Sequence, residues 1–215
     1  MEPVFTIEQL RPVRDGLTVS RALPLGRTAV TLFSLGKGTG ISAESYDRPT
    51  LYIGAAGNGT LSVGQESDRL SLPPDHILII PGKTLCGMDA GDGFIYTEII
   101  LEEKELHMND RIRTNEVFAL KELIDYEEGS ITNLDIVGSP AMKYVLMAFD
   151  EGTGLTPHRA PGNAIVFALE GKATIGYEGT DYELSEGECF RFEKNGLHSV
   201  TANGRFKMAL LLVIE

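Results

Sequence analysis

Cysteine and tryptophan are scarce in this chain of 215 residues, which has two cysteines and no tryptophan. Cys86 and Cys189 are too few to form the disulfide framework that stabilises many small secreted domains. Long apolar runs are also missing, since the longest, MALLLVI from Met208, is far too short to span a bilayer. The first residues lack the basic and apolar segments of a secretory signal peptide. We therefore expect a soluble, cytoplasmic protein without a membrane partner.

Basic side chains are outnumbered by acidic ones. The chain has 19 Lys and Arg residues against 31 Asp and Glu residues, which gives a formal net charge of −12. Such a surface repels polyanions over most of its area, so nucleic acid is not an expected partner. The sequence also lacks a phosphate-binding glycine loop, a nucleophile elbow and paired CxxC knuckles. An unidentified small molecule is the partner class that remains.

The sequence repeats itself at an offset of about 113 residues. Glu2 begins the stretch EPVFTIEQLRPVRDGLTV, which resembles NEVFALKELIDYEEGSIT from Asn115. Leu32 begins LFSLGKGTGIS, which resembles LMAFDEGTGLT from Leu146. The repeat predicts two similar halves that fold in the same way.

The boundary between the halves is expected in a charged stretch, EEKELHMNDRIRTN, that has no sustained apolar period. We interpret this stretch as a solvated linker, with a short helix crossing between the halves as the alternative. The predicted units are an N-terminal half, a linker and a C-terminal half, at residues 1–101, 102–115 and 116–215.

Each half is a series of short strand patterns separated by glycine, proline and acidic turns. AVTLFSL and TLYIGAAG in the first half correspond to KYVLMAF and AIVFALEG in the second. Their spacing is typical of an antiparallel sandwich or barrel. Only TIEQL and ALKELI have helical spacing, and both are short. The sequence predicts an all-β protein with a few short helical turns.

Two segments of the second half carry a family resemblance. GTGLTPHRAPGNAIVFALEGKATI, followed by LSEGECFRFEKNGLHSV, resembles the two motifs of the cupin superfamily, whose members are small double-sheet β-barrels of jelly-roll type. With the internal repeat, the resemblance implies two tandem cupin-type barrels, a bicupin. Cupins include dioxygenases, isomerases and non-enzymatic binding proteins, so the resemblance does not fix a reaction.

The resemblance also implies a metal site with four ligand positions, which fall on His158, Ala160, Ala164 and His198. Two of the four usual ligands remain, because alanine cannot coordinate a metal. The resemblance thus implies one divalent transition metal in the C-terminal barrel, held by His158 and His198. The alternatives are a metal-free pocket and a packed interior.

Strand geometry gives these spacings a physical meaning. Residues two and four positions apart on one strand face the same side, so His158, Ala160 and Ala164 are expected to line the barrel. His198 is expected to reach the same point from the second motif. We expect the two imidazoles within about 5 Å of each other, because ligand bonds to one metal are roughly 2 Å long. The alanines are expected to leave a cavity beside them.

The N-terminal half is further from the pattern. The corresponding positions fall on Glu44, Tyr46, Thr50 and Cys86, none of which is histidine. A buried, inert cysteine is the more frequent role for Cys86, although Glu44 and Cys86 could in principle bind a soft metal. We therefore interpret this half as mainly structural. The remaining histidines, His76 and His107, fall outside the motif positions and are expected at the surface or in turns.

Three functions are compatible with these patterns. The leading hypothesis is small-molecule binding through the pocket of the C-terminal barrel. The alternative is a metal-dependent cupin enzyme, such as a dioxygenase or isomerase, that uses His158 and His198. The third is a structural or interaction role. A homodimer is compatible with each, because cupin barrels often leave a strand edge that needs covering.

Restoring the lost ligands tests the motif assignment. We expect Ala160→His with Ala164→Glu to strengthen divalent metal binding by roughly tenfold or more, because four converging donors replace two. The same pair of changes at Tyr46 and Thr50 is the control and should do less, since no histidine lies opposite them. Calorimetric titration measures both, and equally weak binding by the parent and the C-terminal double variant would contradict the assignment.

Overall fold

Short strands separated by tight turns make up most of the chain, as the β-branched and aromatic runs between glycines predict. The computed structural model describes residues 2–26, 28–64 and 68–214. Helix α1 covers Ile7–Leu10 and a 3₁₀ turn covers Leu120–Glu122, at the two places where helical turns are predicted. None of the helices in the described residues is long and apolar enough to cross a bilayer.

Nineteen strands are present in the described residues. Those of the first part of the chain are β1 (Val4–Phe5), β2 (Thr18–Ala22), β3 (Val30–Leu35), β4 (Gly40–Glu44), β5 (Thr50–Gly57), β6 (Gly59–Val63), β7 (Asp68–Leu72), β8 (His76–Ile80), β9 (Cys86–Asp89) and β10 (Phe94–Ile100). Those of the second part are β11 (His107–Met108), β12 (Val117–Ala119), β13 (Ile131–Ser139), β14 (Met142–Phe149), β15 (Gly154–Arg159), β16 (Gly162–Tyr177), β17 (Thr180–Ser185), β18 (Cys189–Phe192) and β19 (Leu197–Ile214).

The strands form three antiparallel sheets. The largest runs β1-β18-β16-β19-β14-β13-β11, with β15 paired to β19 and β17 paired to β16. A six-stranded sheet runs β12-β8-β5-β10-β3-β2, and a four-stranded sheet runs β4-β9-β6-β7. The predicted all-β fold class with a few short helical turns is confirmed.

The internal repeat reappears in the strand register. β15 pairs with β19 so that His158 lies opposite His198, and β4 pairs with β9 so that Glu44 lies opposite Cys86. Both pairings have an irregularity just before these residues. Glu44 and Cys86 thus hold the same register positions as His158 and His198. The superposition of two barrels stays a prediction.

Glycine recurs at one strand position of the repeat for a steric reason. Gly57 and Gly171 have φ angles of 69° and 76°, in the left-handed region that side chains rarely adopt. A Cβ atom at Gly57 would collide with the carbonyl oxygen of Gly93, and one at Gly171 with that of Arg205. The glycine that ends the ALEG motif is thus required by close backbone approach.

Several strands cross the predicted boundaries. β1 lies beside β18 in the nine-stranded sheet, although it begins the N-terminal half, and β12 lies beside β8, although it begins the C-terminal half. Within 102–115, β11 pairs with β13 and Ile112 is buried. This stretch is therefore more than the solvated linker that we expected, because pairing at a sheet edge satisfies backbone groups that a free linker exposes.

The core has three parts, separated by the alternation of side chains along each strand. In β10, Phe94 and Tyr96 point into a cluster with residues of the four-stranded sheet, whereas Ile95 and Ile99 point into a cluster shared with the nine-stranded sheet. A third cluster fills the inside of the C-terminal strands. The shared cluster is where the two halves pack together.

Because β1 pairs with β18 of the nine-stranded sheet, residues at the N-terminus contribute to the stability of that sheet. Phe5 is buried in the shared cluster, so Phe5→Ala should lower the free energy of unfolding by about 3 kcal/mol. Leu17→Ala is the control, because the Leu17 side chain is 51% exposed and its loss should change stability by less than about 0.5 kcal/mol. Urea titration compares the variants, and equal stabilities would mean that β1 does not pack as described.

Candidate functional site

His158 and His198 face each other across β15 and β19. Their ring centroids are 4.2 Å apart with an angle of 54° between the ring planes, which confirms the predicted approach within about 5 Å. His198 is buried and His158 is exposed. The pair therefore has one imidazole fixed in the protein and one open to solvent.

Both imidazoles are oriented by backbone carbonyl groups. The Nδ1 atom of His158 lies 2.8 Å from the carbonyl oxygen of Thr156, and that of His198 lies 2.9 Å from the carbonyl oxygen of Gly196. A carbonyl only accepts, so each Nδ1 carries the proton and donates it. The lone pair of each neutral imidazole is therefore on Nε2, the arrangement that a metal-binding histidine needs.

Burial favours the neutral form of His198. Loss of solvent lowers the pKa of this imidazole, and the nearby His158 lowers it further, whereas the hydrogen bond to Gly196 acts in the opposite direction. A neutral imidazole is the form that binds a metal. His198 is thus ready to act as a ligand near neutral pH.

Phe192 occupies the space where a cupin carboxylate ligand is expected. Its ring stacks on His198 with a centroid distance of 4.1 Å and an interplanar angle of 28°. In the β16–β18 register Phe192 lies directly opposite Ala164, which is buried in the same cluster. The cavity that we expected beside Ala164 is therefore filled, because the small alanine makes room for the phenyl ring across from it.

The rest of the C-terminal interior is also packed. Phe149, Phe190, Phe206 and Met208 are buried together with Phe192. Five cavities of the described residues have neither His158 nor His198 in their lining. The predicted pocket thus reduces to the mouth of the barrel, where His158 is exposed.

The histidine pair fits a metal only as a centre with two protein ligands. The residues that the structure describes contain no group of three or more His, Cys, Asp or Glu side chains able to hold one ion. A catalytic zinc site normally has about three protein ligands. His158 and His198 would hold a metal weakly, and water or a small molecule would complete its coordination.

The equivalent pair in the N-terminal half has different chemistry. Burial raises the pKa of the Cys86 thiol to about 11, so it stays protonated and is a poor metal ligand. Glu44, opposite it, is exposed, and both cysteines of the chain are free. Thr50 is buried and Tyr46 turns its hydroxyl towards Glu98. These positions support the interpretation of Cys86 as an inert residue.

Glu98 is a buried carboxyl group that the motif analysis missed. Its side chain is only 6% exposed and accepts a 3.3 Å hydrogen bond from the Tyr46 hydroxyl. Burial raises the pKa of Glu98 to about 7 and the charge of Glu44 adds to this, while the hydrogen bond from Tyr46 acts against it. The sequence signal for this buried carboxyl group is an acidic residue within the otherwise apolar strand FIYTEII. Alternation of side chains along the strand places Glu98 on the same face as Tyr96.

Comparison with known proteins agrees with this architecture. Residues 145–214 match the family model described as "Cupin domain". A cupin 2 conserved barrel domain protein from Leptotrichia buccalis is 26% identical and superposes with a TM-score of 0.82, covering 99% of this chain and 96% of its own. No curated protein matches the sequence.

More distant structures share the fold alone. Salicylate 1,2-dioxygenase from Pseudoaminobacter salicylatoxidans, solved as adducts with gentisate, is 12% identical with a TM-score of 0.69. The likeness covers 98% of this chain and 80% of the dioxygenase. A point mutant of the same enzyme, also 12% identical, gives a TM-score of 0.70. The matched segment and the Leptotrichia structure together support the cupin superfamily and its jelly-roll fold.

The raised pKa of Glu98 predicts a dependence of stability on pH. The folded protein holds this proton up to about pH 7, whereas an ordinary glutamate releases it near 4.5. The stability from the protonated form is complete below pH 4.5 and is lost as pH rises through 7, by up to about 3 kcal/mol. Glu98→Gln keeps an acceptor for Tyr46 and should remove this loss.

Chemical denaturation at pH 4.5 and at pH 8 measures the difference between the parent and Glu98→Gln. Glu103→Gln is the control, because Glu103 is exposed. A parent and a Glu98→Gln variant with the same pH dependence would show that Glu98 titrates as an ordinary carboxyl group.

Proposed function

We propose that this cupin-superfamily protein binds a small chelating molecule at the mouth of its C-terminal barrel, through one divalent transition metal held by His158 and His198. The observation that carries the proposal is the facing pair of imidazoles, 4.2 Å apart, with both Nδ1 atoms bonded to backbone carbonyls. In this tautomer the free lone pair of each imidazole is on Nε2, which is the atom that would bind the metal.

The two histidines of this site differ in their exposure and in how firmly they are held. His198 is fixed between Phe192 and His158, so its orientation is set before anything binds. His158 is exposed and leaves the mouth accessible. When bound, a divalent transition metal would offer its remaining positions to oxygen donors of the small molecule. The phenylalanine packing below excludes the ligand from the interior and keeps it at the mouth.

The distant structural neighbour suggests a probe. The name of salicylate 1,2-dioxygenase identifies salicylate as the molecule that enzyme acts on, and salicylate has a carboxylate beside a hydroxyl group. Two adjacent oxygen donors suit a metal that has only two protein ligands. Salicylate is therefore a reasonable test ligand.

Other features of the proposal come from the sequence. We propose the division into residues 1–101, 102–115 and 116–215 as two barrels and a connection, with β1 and β12 exchanged between their sheets. β4 and β7 are edge strands of the four-stranded sheet and offer backbone groups to a second copy in a homodimer. A cytoplasmic location stays an expectation from composition.

Titration of untagged protein with Ni²⁺ tests the site. The parent should bind one equivalent, and His158→Ala or His198→Ala should weaken binding by roughly tenfold or more, because one of two protein ligands is lost. His76→Ala is a matched control, since the Nδ1 atom of His76 also meets a carbonyl oxygen, that of Pro74, but no second histidine faces it. Binding should weaken in acid, because a protonated imidazole cannot bind a metal, and burial lowers the pKa of His198, which moves this loss to lower pH.

Salicylate should then bind the Ni²⁺-loaded parent and not the metal-free protein or the His198→Ala variant. Fluorescence of salicylate reports the complex, and loss of salicylate over hours tests for turnover. Ni²⁺ binding that is equal in the parent and both histidine variants would contradict the proposal. Salicylate binding without metal would also contradict it.

A further inference from the structure

A cavity of about 320 Å³ lies between the two halves of the protein, apart from the histidine pair. The six-stranded sheet contributes Ile53 and Thr97 to its wall, and the nine-stranded sheet contributes Tyr144 and Phe167. Ile7 of helix α1 closes part of its rim. Neither His158 nor His198 lines it.

Two of the residues that line this cavity carry hydroxyl groups without a hydrogen-bond partner in the described structure. Thr97 is 1% exposed and Tyr144 is 0% exposed, and the hydroxyl oxygen of each lacks a hydrogen bond in the described structure. A buried hydroxyl without a partner costs the protein roughly 1–3 kcal/mol. Both hydroxyls belong to residues that line one cavity, so a single bound molecule could satisfy them together.

The charged residues that line the cavity indicate the charge of the molecule that would bind there. Glu8, Asp75, Glu186 and Glu188 line the cavity, and its lining contains no Lys, Arg or His among the residues that the structure describes. Burial raises the pKa of Asp75 and Glu186 raises it further, while Lys121 and His76, outside the lining, lower it. Burial raises the pKa of the Tyr144 phenol, and the charge of Asp75 raises it further. The cavity therefore favours a cation.

The remaining lining is apolar and sets the shape of the ligand. Ile53, Leu120, Phe167 and Leu169 contribute aliphatic and aromatic surface to the wall. A hydrated metal ion would gain nothing from this surface, whereas an alkyl chain would be removed from water. The acidic rim, the apolar wall and the two hydroxyls suit a short chain with a protonated amine at each end.

We propose that this cavity is a binding site for small aliphatic amines, with diamines as the best occupants. One ammonium group lies among the carboxylates of Asp75 and Glu186, the alkyl chain lies along the apolar wall, and the other end donates to the hydroxyl oxygens of Thr97 and Tyr144. An ammonium group has three N–H donors and no acceptor, so it can donate to an oxygen of each hydroxyl at once. The site is independent of the histidine pair.

The test uses butane-1,4-diamine as the probe, titrated calorimetrically into the full chain at moderate salt. The parent should bind one equivalent, and butane-1,4-diol should not bind, because it has the same length without the charge. Asp75→Asn and Thr97→Val should each weaken diamine binding by roughly tenfold. Glu128→Gln is the control for the acidic surface, since Glu128 is exposed and outside the cavity lining, and it should bind as the parent does.

Thermal unfolding separates a binding role from a structural one. Thr97→Val and Tyr144→Phe remove hydroxyls that have no partner, so without diamine both variants should melt at the same temperature as the parent or higher. With diamine, the parent should gain more thermal stability than either variant. Thr97→Ser keeps the hydroxyl and should retain diamine binding. This variant shows whether the loss of binding in Thr97→Val comes from the missing hydroxyl or from misfolding.

The absence of saturable diamine binding by the parent would overturn the proposal. Equal binding by the parent, Thr97→Val and Asp75→Asn would also overturn it, because the diamine would then associate with the acidic surface in general. Equal binding of the diol would assign the cavity to neutral molecules and reject the role of the carboxylates.

Discussion

The pairing of β15 with β19 is the constraint on which the C-terminal site depends. It sets His158 directly opposite His198, with the two ring centroids 4.2 Å apart. The carbonyl groups of Thr156 and Gly196 then fix the proton of each ring on Nδ1. These contacts lie within and beside two neighbouring strands, and Phe192 of β18 adds the ring that stacks on His198.

The same strand pairing occurs twice, but the two interiors are filled differently. In the C-terminal half the inward positions hold phenylalanines, and Phe192 covers the space opposite Ala164. In the N-terminal half Tyr46 donates to the buried Glu98, near a protonated Cys86. His158 of the C-terminal pair is exposed, whereas Glu98 of the N-terminal half is an ionisable group held in the interior. The local strand pairing is therefore repeated within the molecule, while the side chains around the two pairs differ.

Local features of the sequence were enough to predict the strands, the helical turns and the histidine pair. The period-two spacing and the repeat predicted that His158 and Glu44 hold equivalent positions, which is seen in the strand register. The TIEQL segment predicted a helical turn and forms α1, with a capping box between Thr6 and Gln9. The exchange of β1 and β12 was missed, because a strand pattern does not say which sheet edge the strand will join. Phe192 was missed as the occupant of the ligand space because its contact with Ala164 crosses strands that are distant in sequence.

The tautomeric state of the two histidines tests the central claim most directly, by ¹⁵N NMR of ring nitrogens in histidine-labelled protein with and without Zn²⁺. Above pH 7, both His158 and His198 should carry their proton on Nδ1, and both Nε2 resonances should shift when one equivalent of Zn²⁺ is added. A proton on Nε2 of either ring, or Nε2 resonances that do not respond to Zn²⁺, would contradict the assignment of this pair as a metal site.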